Sequence, residues 1–187
     1  DWSSDVCSSD LRVTNNSIHG CGQVFFGAVG IWSGITVGTV LEHNAIYDLP
    51  YTGISLGWRW DEAPTGCMSN VVANNDVHHF GQILGDGGGI YTLGFQPGTV
   101  LRGNFVHDTT KHEYWPGQTI DGLYLDEGSK GFWIESNVVF NIHTSRQTVK
   151  FNSSKKENHE WGTNWFLPLP QETGFPEEIR RNAGIQP

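Results

Sequence analysis

Val72-Ala-Asn-Asn75-Asp-Val77-His78 is one of five copies of a pattern: aliphatic, two variable residues, Asn, one variable residue, aliphatic, ring. The shared asparagines are Asn16, Asn44, Asn75, Asn104 and Asn137, which lie 28, 31, 29 and 33 residues apart. A repeat of this length is typical of stacked-repeat proteins, in which each copy packs against its neighbours. We therefore predict that the asparagines stack at a turn, where their amides bond the coils above and below.

A second pattern follows each copy: a short apolar strand, preceded by glycine in four of the five cases. The strands are Gly30-Ile31-Trp32, Gly53-Ile54-Ser55, Gly89-Ile90-Tyr91, Gly122-Leu123-Tyr124 and Thr148-Val149-Lys150. Helical periodicity is absent from these copies, and short strands joined by polar turns favour an all-β chain. We predict a right-handed parallel β-helix, a pectate-lyase-like solenoid of about five coils with a C-terminal capping segment. A β-sandwich or propeller with coincidental spacing is the alternative.

The chain divides into three parts. Residues 1–11, DWSSDVCSSDL, match the translation of a common sequencing adapter, so we interpret them as an artefact joined to a metagenomic fragment. We assign 12–154 to the coils and 155–187 to the cap and tail, with a short helix from Pro176 to Arg181. On this interpretation, N-terminal coils of the same protein are missing. The lack of a signal peptide then does not argue against a secreted or periplasmic protein.

Composition excludes several classes of partner. The 187 residues carry a net charge of −9, and no basic stripe suits nucleic acid. No apolar run is long enough for a membrane helix. Three of the eight histidines, His19, His78 and His107, share one register with Tyr47 and Phe140, which predicts stacked rings rather than a metal site. Neither a metal nor a cofactor is expected.

Strand alternation predicts which side chains face solvent on the last strand of each coil. The first outward column is Trp32, Ser55, Tyr91, Tyr124 and Lys150, the next is Gly34, Gly57, Leu93, Asp126 and Asn152, and a third contains Asp121. Aromatic rings, carboxylates and amides along one groove are typical of a site that binds polysaccharide or oligosaccharide. As substrate-binding residues we predict Tyr91, Tyr124, Lys150, Trp58 and Trp60 as one wall, and His112 at the border.

Four segments carry a family resemblance: DGGGIYTLGFQPGT (86–99), NFVHD (104–108), GLYLDEGS (122–129) and ESNVVFN (135–141). Together they resemble the right-handed parallel β-helix proteins of glycoside hydrolase family 141 and, more distantly, family 120. The resemblance implies an exo- or endo-acting glycosidase on plant or algal polysaccharide, with fucosidase or xylanase activity. It also implies a catalytic pair of aspartates, which Asp86 and Asp126 match by position.

Simple strand geometry favours a different pair. On straight strands Asp86 and Asp126 would lie roughly 23 Å apart, whereas Asp86 and Asp121 would lie roughly 8 Å apart. Glycosidic hydrolysis needs an acid and a nucleophile or base separated by roughly 5–9.5 Å. Either the three glycines after Asp86 fold it over the strand, or the pair is a different one. Asp121 therefore stays a candidate, and Glu127 is a third-choice acid.

Two other functions remain open at this point. A polysaccharide lyase on the same fold would need a base, for which Lys150 is placed, and usually Ca²⁺. A non-catalytic carbohydrate-binding β-helix needs neither.

Overall fold

A computed structural model describes residues 11–109, 119–142, 148–167 and 174–187. Its strands are β1 (Arg12–Thr14), β2 (Ser17–His19), β3 (Ile31–Ser33), β4 (Val40–Glu42), β5 (Ala45–Tyr47), β6 (Ile54–Leu56), β7 (Val71–Ala73), β8 (Asp76–His78), β9 (Gly87–Thr92), β10 (Phe95–Arg102), β11 (Phe105–His107), β12 (Ile120–Leu125), β13 (Lys130–Glu135), β14 (Val138–Phe140), β15 (Val149–Phe151), β16 (Glu160–Trp161) and β17 (Trp165–Leu167). A 3-10 turn spans Lys156–Asn158, and one helix, α1, spans Glu177–Asn182.

The strands form three parallel sheets that run along the molecule. Sheet 1 has the order β1-β4-β7-β10-β13-β16, sheet 2 runs from β2 through β5, β8, β11 and β14 to β17, and sheet 3 has the order β3-β6-β9-β12-β15. Consecutive strands of the chain thus enter sheets 1, 2 and 3 in turn, and each coil stacks in parallel on the next. The predicted all-β parallel solenoid of about five coils is confirmed.

The interior is filled by matching columns of aliphatic side chains. Sheet 3 contributes Ile31, Ile54, Ile90 and Leu123, which pair in register and are at most 9% exposed. The glycine before each of these residues is required by packing. A Cβ on Gly122 would lie 2.1 Å from Cγ1 of Val139 in sheet 2, and one on Gly89 would lie 2.3 Å from Cγ1 of Val106. The recurrent glycine therefore marks where sheet 3 approaches sheet 2 most closely.

The predicted asparagine ladder is present and fully bonded. Nδ2 of Asn75 donates to Oδ1 of Asn104 at 3.0 Å and to the Leu41 carbonyl at 2.9 Å. Its Oδ1 accepts from Nδ2 and from the backbone N–H of Asn44. The same bonds recur along the column and extend to a sixth member, Asn164. A buried amide in this position uses both donors and both lone pairs, so the ladder buries no amide group without a hydrogen-bond partner.

Four rings of the predicted column are stacked, whereas the fifth, Phe140, contacts Phe175 instead. His19 and Tyr47 stack with centroids 4.8 Å apart, Tyr47 and His78 at 4.9 Å, and His78 and His107 at 5.0 Å. His107 further bonds Asp76 through Nε2 at 2.8 Å. Among the described residues, no group of three or more His, Cys, Asp or Glu side chains is arranged to hold a metal ion.

The C-terminal residues cover the solenoid in two ways. An aromatic cluster of Phe132, Phe151, His159 and Trp161 lies at the last coil. Residues 174–187 instead run back along the side: Phe175 packs on Phe105 and Phe140, and Gln186 bonds Asn15 of the first coil. The helix predicted from Pro176 is present as α1.

The region after Ser154 also adds β16 to sheet 1 and β17 to sheet 2. The division of the chain at that residue stays a prediction, as does the origin of residues 1–11. No helix in the part of the chain that the structure describes is long and apolar enough to cross a membrane.

Candidate active site

The outer surface of sheet 3 carries the residues that alternation predicted. Trp32, Ser55, Tyr91, Tyr124 and Lys150 pair in register across its five strands. Their exposure is not uniform: Trp32 is 57% exposed, whereas Tyr124 is 2% exposed beneath its neighbours. The column is therefore aromatic and exposed at Trp32 on β3, and it ends in the charged side chain of Lys150 on β15.

Asp86 lies at a sharp turn immediately before β9. Its φ of +61° is in the left-handed region, which Asp tolerates better than most residues. The turn directs the carboxylate back over the sheet, where Oδ1 accepts hydrogen bonds from the Tyr124 hydroxyl at 3.2 Å and from Lys150 Nζ at 3.3 Å. The straight-strand estimate of roughly 23 Å between Asp86 and Asp126 therefore does not apply, because the chain bends at Asp86 and carries its carboxylate back to Tyr124.

Asp121 has the opposite environment. Its side chain is 1% exposed, and Oδ2 accepts from the Thr119 hydroxyl at 2.9 Å. Oδ1 is buried without a hydrogen-bond partner among the described residues. Burial raises the pKa of Asp121 to about 6, although the Thr119 hydrogen bond and the positive charge of Lys150 both lower it. Asp86, by contrast, is 54% exposed.

Lys150 holds these two carboxylates together. Its Nζ lies 3.3 Å from Asp86 Oδ1, 3.8 Å from Asp121 Oδ2 and 3.9 Å from the centre of the Tyr124 ring. Since both acids contact one nitrogen, these oxygens are at most about 7 Å apart, which is below the upper limit of roughly 9.5 Å for the carboxyl pairs of glycosidases. The register argument that kept Asp121 as a candidate agrees with this geometry.

Asp126 is a third carboxylate beside this pair. It is 7% exposed; Oδ2 accepts from the Tyr91 hydroxyl at 2.5 Å and Oδ1 from Asn152 Nδ2 at 2.7 Å. Burial raises the pKa of Tyr91, and the hydrogen bond to Asp126 raises it further. Burial also raises the pKa of Tyr124, with further contributions from the charges of Asp126 and Asp86. Tyr124 thus lies between two acids and stays a phenol that can donate.

The other predicted residues have varied positions. Glu127 is in the turn after β12, where its carboxylate makes no hydrogen bond or ion pair to any described residue. Trp58 and Trp60 stand in the loop after β6 and contact each other edge to face at 4.9 Å. His112 lies outside the described residues, so its predicted place at the border stays a prediction.

A groove of about 480 Å³ adjoins the acids at its Tyr91 end. Its largest lining side chains are Trp32, Trp58, Trp60, Tyr51 and Tyr91. The Tyr51 hydroxyl donates to the Asp86 carbonyl at 2.8 Å and so ties the groove wall to the turn that carries an acid. None of the described residues that line the groove carries a charge.

Three contributors to the site were not among the predicted site residues. Asn152 lies one coil after Asp126 in the same outward column, so strand alternation could have identified it. Thr119 precedes Asp121 by two residues and therefore shares its face of the strand. Tyr51 has no such signal, because its contact with Asp86 depends on the left-handed turn.

The chain is similar over most of its length to a solved structure described as a glycoside hydrolase. The two share 29% identity with a TM-score of 0.76, and the alignment covers 97% of this chain and 28% of that one. This chain thus spans little more than a quarter of the length of that protein. The comparison supports the parallel β-solenoid. No family model and no curated protein sequence matches the chain.

Proposed function

We propose that this solenoid carries the catalytic groove of a glycoside hydrolase, with Asp121 as general acid and Asp86 as nucleophile or base. The observation that carries the proposal is the pair of carboxylates around Lys150, one buried and one exposed, at most about 7 Å apart. Opposed environments are how an enzyme keeps one carboxyl protonated while the other acts as a base. The glycoside hydrolase described above supports the same class of reaction.

The reaction follows from these roles. Asp121 transfers its proton to the glycosidic oxygen as the bond from that oxygen to the anomeric carbon breaks. Asp86 either attacks the anomeric carbon directly or removes a proton from the attacking water. In the first case water then releases the sugar from Asp86, so both routes add one water across the bond. Tyr124 and Lys150 position Asp86 through its Oδ1.

The substrate class is a finer part of the proposal. The resemblance to families 141 and 120 favours a plant or algal polysaccharide and a fucosidase-like or xylanase-like activity. An aromatic groove without charged lining residues agrees with a sugar polymer as the ligand.

The first test compares Asp121→Asn and Asp86→Asn with the unmodified chain on plant and algal polysaccharides, with reducing sugar as the readout. Each variant should lower kcat by about 10²–10⁴-fold while the circular dichroism spectrum is retained, as expected for loss of an acid or a base. Glu135→Gln, on sheet 1, is the matched control and should keep full activity. Full activity of either aspartate variant would remove that residue from the mechanism.

Asp126→Asn decides between the two pairings of Asp86. The resemblance implies the pair Asp86 and Asp126, whereas the shared contact with Lys150 favours Asp121. If Asp126→Asn abolishes turnover and Asp121→Asn does not, Asp126 takes the second role.

Lys150→Met tests whether Asp121 is the general acid, through the pH dependence of kcat. Turnover requires protonated Asp121, so activity should fall as pH rises through about 6, the pKa of this group. Since the charge of Lys150 lowers that pKa, its removal should move the alkaline limb of the pH profile of kcat to higher pH. An alkaline limb that stays in place would contradict the role of Asp121.

A lyase is the second candidate, and Lys150 was its predicted base. In the structure Lys150 donates to Asp86 and lies beside Asp121 and over the Tyr124 ring, a set of contacts that suits a fixed donor. A product with ultraviolet absorbance from a new double bond would favour the lyase, and binding without any product would favour a non-catalytic carbohydrate-binding protein.

A further inference from the structure

Three tryptophans form an exposed cluster along the groove, with Trp32 on the first strand of sheet 3. Trp32 on β3 is 57% exposed, Trp58 is 55% and Trp60 is 50%. Trp58 meets Trp32 edge to face at 5.6 Å and Trp60 at 4.9 Å. We call these three residues the indole platform. A cluster of large exposed apolar side chains on a soluble protein commonly marks a binding site.

The loop that carries two of the indoles makes several side-chain contacts. Arg59, between Trp58 and Trp60 in the sequence, forms a bidentate ion pair with Asp61. Oδ1 of Asp61 also accepts a hydrogen bond from the backbone N–H of Ala63 at 2.7 Å. Glu62 accepts from Lys130 Nζ of β13 at 2.8 Å. These contacts favour one arrangement of the loop before a ligand binds, which reduces the conformational freedom lost when the indoles are covered.

The charges around the platform favour a neutral ligand. The nearby cations Arg59, Lys130 and Lys150 each already contact a carboxylate of this chain. None of the described residues lining the groove is charged, so an acidic sugar would lose water there without gaining an ion pair. A neutral pyranose ring has an apolar C–H face that can cover an indole, while its hydroxyls remain at the edge.

The platform and the acids share one continuous surface. Tyr91 lines the groove and also donates to Asp126, and Tyr51 lines it and donates to the Asp86 carbonyl. Trp32 and Tyr91 occupy the same column two strands apart, a distance of roughly 10 Å. A ligand that covers the indoles and reaches the acids must therefore be longer than one sugar ring and must cross the strands along the solenoid axis.

We propose that Trp32, Trp58 and Trp60 form a subsite for a neutral sugar of a longer chain that continues along the groove toward the acids. The inference rests on the proposed function for the position of the bond that is cleaved. Recognition at the platform itself does not depend on catalysis.

The test measures binding apart from turnover, in the Asp121→Asn background. This variant, with and without Trp32→Ala or Trp60→Ala, is applied to a printed array of neutral and uronate-containing plant and algal glycans. Affinity for the best neutral glycan is then measured by titration. Each indole variant should weaken binding about tenfold or more, the loss typical of a central aromatic contact. Trp133→Ala is the matched control, because Trp133 is 47% exposed on sheet 1, and it should leave affinity unchanged.

The possible outcomes separate the two proposals. Binding of neutral glycans that depends on the indoles, without hydrolysis by the unmodified chain, would keep the subsite and overturn the proposed function. Hydrolysis of long substrates with KM unchanged in both indole variants would overturn the subsite alone. Preference for uronate-containing glycans, or no binding to any neutral glycan, would also overturn the subsite. Trp32→Phe, which keeps a ring face, should recover part of the affinity lost in Trp32→Ala.

Discussion

Asp121→Asn should stabilise the protein at neutral pH, because it removes a buried charge. Folding raises the pKa of Asp121 from 3.8 to about 6. Each unit of such a shift corresponds to about 1.4 kcal/mol, so ionised Asp121 costs the folded state about 3 kcal/mol. A group with a raised pKa gives its full contribution to stability below the unfolded pKa and loses it as pH rises through the folded value.

The measurement is urea unfolding of the two proteins across this range of pH. The difference in the free energy of unfolding, variant minus unmodified, should grow by about 2–3 kcal/mol between pH 4 and pH 7 and then level off. The pH dependence is the informative part, because the constant cost of changing the Thr119 and Lys150 contacts cancels in it.

Glu62→Gln is the control for the general effect of removing a carboxylate. The side chain of Glu62 is 49% exposed, and exposed ion pairs contribute little to stability. Its effect should therefore stay small at every pH. A difference between Asp121→Asn and the unmodified protein that does not change with pH would refute the buried acid and, with it, the assignment of Asp121 as the proton donor.

Other substitutions test the scaffold and the third acid. Asn104→Ala leaves buried ladder partners unpaired on both sides and should lower the free energy of unfolding by about 2–5 kcal/mol in chemical denaturation. Asn16→Ala, at the exposed end of the ladder, should lower it by less than about 1 kcal/mol. Gly122→Ala should destabilise by about 1–3 kcal/mol or more because its Cβ would overlap a valine methyl, whereas Gly27→Ala, with nothing within 4 Å, should shift the melting temperature little. Tyr91→Phe should lower stability by about 1–3 kcal/mol through the lost donor to the third acid, and an unchanged urea midpoint would contradict that bond.

The repeating part of the fold could be predicted because each coil repeats the same physical constraints. The column Trp32, Ser55, Tyr91, Tyr124 and Lys150 follows from strand alternation alone, and its register is observed as predicted. The sixth ladder residue, Asn164, was missed because aromatic Trp161 and Phe166 stand where the other copies have aliphatic residues. The spacing of the asparagines therefore identifies a coil from the sequence only where the flanking positions remain aliphatic.

The site was less predictable because it depends on departures from the repeat. The position of the Asp86 carboxylate follows from a single left-handed residue, and neither alternation nor spacing specifies the sign of φ. Lys150 beside Asp121, and Tyr91 and Asn152 beside Asp126, lie in neighbouring coils, so their identity depends on register at the level of one residue. The indole platform combines an in-register residue, Trp32, with a loop of irregular length, which strand geometry alone does not position.

The asparagine ladder has a consequence for how such a protein can change in length. Each amide offers its neighbours the same donors and acceptors, so duplicating one coil inserts a unit whose bonds above and below already exist. Every duplication would lengthen the outer surface of sheet 3 by about 4.8 Å without a new kind of contact in the interior. The length of substrate that such a groove accommodates can therefore change through the number of coils. The catalytic residues would not change with it, because they depend on the few loops and turns that depart from the repeat.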